Sequence, residues 1–263
     1  MKKKVHVNGP VVPLYGGPEV GVLVDEILYG QWAEVLEESG EFLKIRTEYG
    51  YEGYGRASDF IATNGERSMA QMRLVQSTFA DILSGPDYEH SHLITLPMGS
   101  RIALLEEGLW CRVQLLDGRE GYTRRENLTP LPQLSENWRE EVMSVARKFL
   151  GTQYRWGGKS ALGIDCSGLV FLSYAMAGIY IYRDAVIKEG HPIVPVPEEE
   201  MLPGDLLYYP GHVTMYLGDG KMIHSSATNN GVAINSTIPG APDFLEKYRD
   251  NLLAVGRLKL PGQ

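Results

Sequence analysis

Cysteine is scarce here: 263 residues contain only Cys111 and Cys166. Two thiols exclude a disulfide framework as the basis of the fold. Concentrated positive charge is also missing. The net charge is −8 and no basic cluster follows Lys2–Lys4, which excludes nucleic acid as the main partner, because phosphate binding needs a positive face. Long apolar runs are absent too, so no segment is suited to crossing a bilayer. The three N-terminal lysines could open a signal peptide, but His6, Asn8, Gly9 and Pro10 break the apolar run that must follow. A cytoplasmic chain is expected unless a signal has been trimmed. Nothing calls for a cofactor or a metal, and a monomer is expected.

What is present first shows as an internal repeat. Residues 30–60 read GQWAEVLEESGEFLKIRTEYGYEGYGRASDF and residues 99–128 read GSRIALLEEGLWCRVQLLDGREGYTRRENL. Each has a Gly, an alternating strand, a Leu-Glu-Glu turn, a second strand, then Gly-x-x-Gly-Tyr and a polar tail. Period-two alternation between Gly and acidic turns means short antiparallel strands, so two small β-barrels are expected, over about 5–62 and 75–132. Between them, Ser68–Leu83 has helical spacing without Pro or Gly and predicts a connecting helix. Domains are therefore drawn at 1–62, 63–136 and 137–263. After Pro130 and Pro132 the texture changes to helix, helix and then strands, an α+β order.

In the last domain, Cys166 stands at the expected start of a helix, in Asp165-Cys166-Ser167-Gly168. A helix start lowers a thiol pKa through the dipole and free N–H groups, which makes a nucleophile, although a Cys there can also simply pack. Downstream, His212–Leu217 and Lys221–Ser226 form a hairpin around Gly218-Asp219-Gly220. A three-residue loop, or a bulge, would set Thr214 opposite His224 and bring His212 and His224 to one face; a plain two-residue loop would separate them. On one face, His212 can take the Cys166 proton while His224 orients it. A zinc site built on Cys and two His is a rival lacking an evident fourth ligand. Cys111 reads as a buried small hydrophobe, His90 and His92 as solvated loop residues, and His6 and His191 as background.

These residues resemble the NlpC/P60 peptidases, a papain-like family. The stretches carrying the resemblance are Gly-Thr-x-Tyr-x-Trp-Gly-Gly from Gly151, Asp-Cys-Ser-Gly, Pro203-Gly204-Asp205-Leu206, the His212 strand and Ile223-His224-Ser225, within about 137–260. The repeats resemble bacterial SH3 (SH3b) domains. The implied fold is multidomain: two SH3-like β-barrels, then an α+β papain-like NlpC/P60 domain. The arrangement is similar to γ-D-glutamyl-L-diamino acid endopeptidases. That implies cleavage of the γ-D-Glu–diamino acid bond in peptidoglycan-derived peptides with a free N-terminal L-Ala, as in murein peptide recycling. Carried over, Cys166 is nucleophile, His212 base, His224 its partner and Tyr154 an oxyanion donor. Asp165 would meet the substrate amine, Trp156 would wall the pocket and Ser167 would bond the D-Glu region. Tyr51 and Glu26 of the first repeat match amine-reading residues, and Asp184 lies in a pocket-lining stretch where Ala185 replaces the family's usual Ser. A secreted hydrolase of intact peptidoglycan, a catalytically dead wall-binding module, and amide or acyl transfer by the same thiol are the alternatives.

Overall fold

A computed structural model describes residues 3–62, 71–248 and 250–260. The chain divides into two compact units, residues 1–132 and 133–263.

The first unit holds two seven-stranded antiparallel sheets. The first contains β1 (Lys4–Val7), β2 (Val11–Tyr15), β3 (Leu23–Leu28), β4 (Trp32–Ser39), β5 (Phe42–Thr47), β6 (Glu52–Arg56) and β7 (Phe60–Ala62). The second contains β8 (Met72–Val75), β9 (Phe79–Leu83), β10 (His92–Pro97), β11 (Arg101–Glu106), β12 (Trp110–Gln114), β13 (Glu120–Arg124) and β14 (Leu128–Pro130). Their strand orders are β3-β2-β6-β5-β4-β1-β7 and β10-β9-β13-β12-β11-β8-β14. Adding seven to each label of the first order gives the second, so the repeat in the sequence is a repeat of topology. A short 3-10 turn precedes the last strand in both, at Ala57–Asp59 and Arg125–Asn127. Inward side chains alternate with outward ones, as in β12, and fill two cores around Val7, Leu14 and Ile45 and around Ile82, Leu96 and Val113.

The connecting helix expected over Ser68–Leu83 is a correction. Residues 68–70 lie outside the described residues, and the rest forms β8 and β9 of the second sheet. The apolar positions fit both periods on paper. Burial decides: in β9 Ala80 and Ile82 point inward while Phe79 and Asp81 face out. The second sheet therefore begins at Met72, ahead of the expected 75.

The second unit has helices α1 (Trp138–Arg147) and α2 (Cys166–Met176), with the short pair β15 (Lys159–Ser160) and β16 (Gly163–Ile164). Beyond them run β17 (Ile193–Val196), β18 (Leu206–Tyr209), β19 (His212–Gly218), β20 (Lys221–Ser226), β21 (Gly231–Ser236) and β22 (Ala254–Leu258). The antiparallel sheet is ordered β17-β22-β18-β19-β20-β21. Helix α2 is apolar on all sides and buried from Cys166 to Tyr174, the pattern of a helix enclosed by its neighbours. Among the described residues no helix is long and apolar enough to cross a membrane.

Candidate active site

Helix α2 starts at Cys166 because Asp165 caps it. Asp165 is extended, and its Oδ1 accepts the Gly168 N–H at 2.6 Å, a bond of about 1 kcal/mol in such caps. Its Oδ2 accepts the Gly157 N–H at 2.7 Å, which ties the Trp156-Gly157-Gly158 turn to the helix start. The backbones here are too close for side chains. A Cβ on Gly168 would meet Gly158 O at 2.2 Å, and one on Gly158 would meet Gly163 O at 2.4 Å.

Arg183 completes this knot. It is buried, and its guanidinium donates to Asp165 Oδ1 at 3.2 Å, Ser167 Oγ at 2.7 Å and Gly157 O at 3.0 Å. Ser167 Oγ in turn donates to Asp165 Oδ1 at 3.2 Å. The Asp165 carboxylate is thus first of all a cap and a counter-ion. A carboxylate offers about four acceptor positions, and these donors occupy them.

The hairpin supplies the imidazoles by a route that differs from the three-residue loop. Gly218 opposes Lys221, leaving a two-residue tip, Asp219-Gly220, with φ of 50° and 66°. That is the turn Asp-Gly favours between twisted strands. The register then shifts between Tyr216 and Gly218, so Leu217 is an extra, bulged residue. Beyond it Met215 opposes Ile223, which sets Thr214 level with His224. On the next strand His224 opposes Ala233. His212, His224 and Asn235 therefore lie on one face, along a diagonal across β19, β20 and β21.

Contacts follow that diagonal. His212 Nε2 is 2.8 Å from His224 Nδ1, and His224 Nε2 is 2.9 Å from Asn235 Oδ1. Asn235 Nδ2 donates to Asp243 O at 2.7 Å, so the amide oxygen must face His224. Asn229 Nδ2 donates to the same oxygen at 2.7 Å. The protonation pattern follows from the far end. His224 carries its proton on Nε2 and accepts on Nδ1, so His212 donates from Nε2 and keeps a lone pair on Nδ1. The 2.8 Å gap also answers the zinc reading: nitrogens sharing one tetrahedral zinc stand about 3.3 Å apart, as Zn–N bonds of about 2.0–2.1 Å require.

Cys166 faces this row through β19, for the Val213 N–H, next in chain to His212, bonds its sulfur together with the Ser167 N–H. Burial pushes the thiol up to about 11, with the Asp165 charge adding to the shift and the two N–H groups opposing it. Burial thus opposes the lowering expected at a helix start. Burial lowers both imidazoles, His212 further through His224 and Lys247. Tyr154 joins them: its backbone bridges Ile164, and burial plus the charges of Cys166 and Asp165 raise its hydroxyl to about 12. It stays a proton donor at any working pH.

The other expected residues lie as follows. Trp156 is 64% exposed on the turn held by Asp165. Asp184 is half-buried and hydrogen-bonded to the Tyr182 hydroxyl. Glu26 and Tyr51 belong to the first unit. Glu26 is buried in β3, and Tyr51 is half-buried with its N–H donating to Thr47 Oγ1 at 2.9 Å. Sequence reasoning missed Asn235, Tyr248 and Lys247. Tyr248 stacks on His212 with ring centroids 5.3 Å apart and planes within 15°. Continuing the strand alternation into β21 would have singled out Asn235; Tyr248 and Lys247 sit in a 3-10 turn with no periodic signal.

The pattern of the NlpC/P60 family matches residues 151–241. "Dipeptidyl-peptidase 6" of Lysinibacillus sphaericus is 38% identical, in an alignment covering 93% of this chain and 96% of that protein. The chain belongs to the NlpC/P60 family. A second relative, the "Gamma-D-glutamyl-L-lysine dipeptidyl-peptidase" of Bacillus cereus, is 28% identical over 86% of this chain and 73% of its own length. The crystal structure of an NlpC/P60 family protein from Bacillus cereus has the same fold, with a TM-score of 0.82 at 22% identity, covering 97% of this chain and 99% of that one. The NlpC/P60 match contains Tyr154, Cys166, His212, His224 and Asn235, whereas Lys247 and Tyr248 lie outside it.

Proposed function

We propose that the chain is a cysteine peptidase that hydrolyses the γ-D-Glu–diamino acid bond of peptidoglycan stem peptides bearing a free N-terminal L-Ala. The observation that carries it is the hydrogen-bonded row of His212 and His224, 2.8 Å apart, on the strand whose Val213 N–H meets Cys166. The name of the Bacillus cereus relative, a γ-D-glutamyl-L-lysine dipeptidyl-peptidase, supports the substrate class, and the dipeptidyl-peptidase name of the first relative supports release of a dipeptide.

In this reading the buried thiol loses its proton as it attacks. His212 Nδ1 takes that proton while Cys166 Sγ bonds the γ-carbonyl carbon. The charge on oxygen meets the Tyr154 hydroxyl and the Cys166 N–H. Collapse breaks the C–N bond, and imidazolium His212 returns the proton to the departing amine. Water, deprotonated by His212, then cleaves the thioester to give the γ-carboxylate and the free thiol. His224, held by Asn235, steadies the imidazolium through both steps.

In this reading Ser167 and Trp156 flank the acyl side and Asp184 lines the pocket. Tyr51 and Glu26, on the resemblance alone, read the amine. Asp165 contributes to amine recognition only by sharing a carboxylate already paired with Arg183. The two repeats are SH3b domains in this proposal, and the enzyme acts on recycled peptides in the cytoplasm.

The test is incubation with L-Ala-γ-D-Glu-diaminopimelate and its lysine counterpart, read by mass spectrometry. Release of L-Ala-D-Glu by the wild type and none by Cys166→Ala is expected. Release from intact sacculi, with the free tripeptides untouched, would replace this reading by a wall hydrolase.

A further inference from the structure

The 3-10 turn Glu246–Tyr248 brings a positive charge to the imidazole row. Tyr248 stacks on His212 at 5.3 Å between centroids. Lys247 Nζ lies over the ring of the same residue, 4.7 Å from its centroid, and donates to Thr228 Oγ1 at 2.7 Å. Its ammonium is therefore one ring away from His212. The coupling is felt from both ends: Lys247 helps to lower His212 and His224, and the Cys166 charge opposes the lowering that burial imposes on Lys247.

Four cations of this unit are paired with a carboxylate. Arg183 pairs with Asp165, Arg139 and Arg257 with Asp205, and Lys221 with Asp243. Among the described residues no carboxylate pairs with Lys247; it is held by a hydroxyl and an aromatic face. An ammonium has three N–H donors, and Thr228 takes one. The side chain is exposed, so the remaining donors are open to a ligand.

A lone cation beside the base also has a chemical cost. It disfavours the imidazolium that must form on His212 during attack. An anion bound to Lys247 removes that cost at the moment the substrate arrives.

We infer that Lys247 binds a carboxylate of the substrate next to the scissile amide, and that this pairing both selects the substrate and relieves the charge penalty on His212. The ligand class is a peptide whose acyl-side residue carries a free carboxylate, as a γ-linked glutamyl unit does at its α-position. The inference rests on the peptidase reading above.

The experiment compares L-Ala-γ-D-Glu-L-Lys with the same peptide carrying an α-carboxamide, each with wild type, Lys247→Gln and Lys247→Arg. Wild type is expected to favour the free acid in kcat/KM by about tenfold or more, the size of a charge-assisted hydrogen bond. Lys247→Gln should bring the ratio to about two or less, and Lys247→Arg should keep most of it. An unchanged ratio in Lys247→Gln, with both peptides slowed alike, would overturn the inference while leaving the peptidase reading intact. So would a wild-type ratio near one. Failure of the wild type on both peptides would instead remove the peptidase reading, and Lys247's role with it.

Discussion

Asn235 Oδ1 receives the Nε2 proton of His224 at 2.9 Å, and the orientation of that amide is imposed from outside the imidazole row by Asp243 O. The carbonyl of a loop residue thus determines which nitrogen of His212 is left basic, two residues away from it. Asn235→Leu should lower kcat by about 10- to 100-fold with little change in KM, the loss expected for a buried bond worth about 1–3 kcal/mol. Asn235→Asp, which can only accept, should recover much of that loss. Equal defects in both variants would mean that Asn235 only packs.

Cys166 should behave as a buried thiol, not as a preformed thiolate. With its pKa pushed up to about 11, the rate of iodoacetamide alkylation should keep rising from pH 7 to pH 10. A plateau reached near neutrality would show a thiolate–imidazolium pair already present in the free enzyme.

The imidazole row should make the fold sensitive to acid. Burial lowers His224 from 6.5 to about 4, so the unfolded chain binds more protons between these values. Stability is then fully present above pH 6.5 and falls as pH drops toward 4, by up to about 1.4 kcal/mol per unit for each such group. Urea midpoints between pH 7.5 and 4.5 should show this slope, and a His212→Gln/His224→Gln double variant should flatten it. A double variant as steep as the wild type would assign the acid sensitivity to other groups.

Gly168 should not accept a methyl group. Its Cβ would fall 2.2 Å from Gly158 O, a backbone atom held by the same turn that Asp165 pins. Gly168→Ala is expected to lose about 1–3 kcal/mol in urea unfolding and to misplace Cys166, since overpacking is relieved by moving backbone. A variant of wild-type stability and activity would show that the turn yields freely.

Much of this site could be read in the sequence because its logic is local. The helix start at Cys166 was legible, and strand alternation placed His212 and His224 on one face once an extra residue was allowed. The repeat was legible for the same reason, since period-two patterning is stored within each strand. Ser68–Leu83 misled because short apolar spacings fit a helix and two short strands alike, and β8 and β9 pair not with each other but with strands further along the chain, β11 and β14 for one and β10 and β13 for the other. Burial of Cys166, which opposes the effect of the helix start, comes from enclosure by the fold and is not written in the local sequence. Lys247 and Tyr248 reach His212 only through tertiary packing, and nothing near them in sequence signals it.

Leu217 sets the phase of the whole site. Side chains on a strand alternate, so pairing β19 and β20 without this one bulged residue would turn His212 to the opposite side of the sheet from His224. Deleting Leu217 would leave His212, His224 and Asn235 in the sequence and still dissolve the row they form. The chemistry proposed for Cys166 thus hangs on a parity, kept by a leucine that donates no proton.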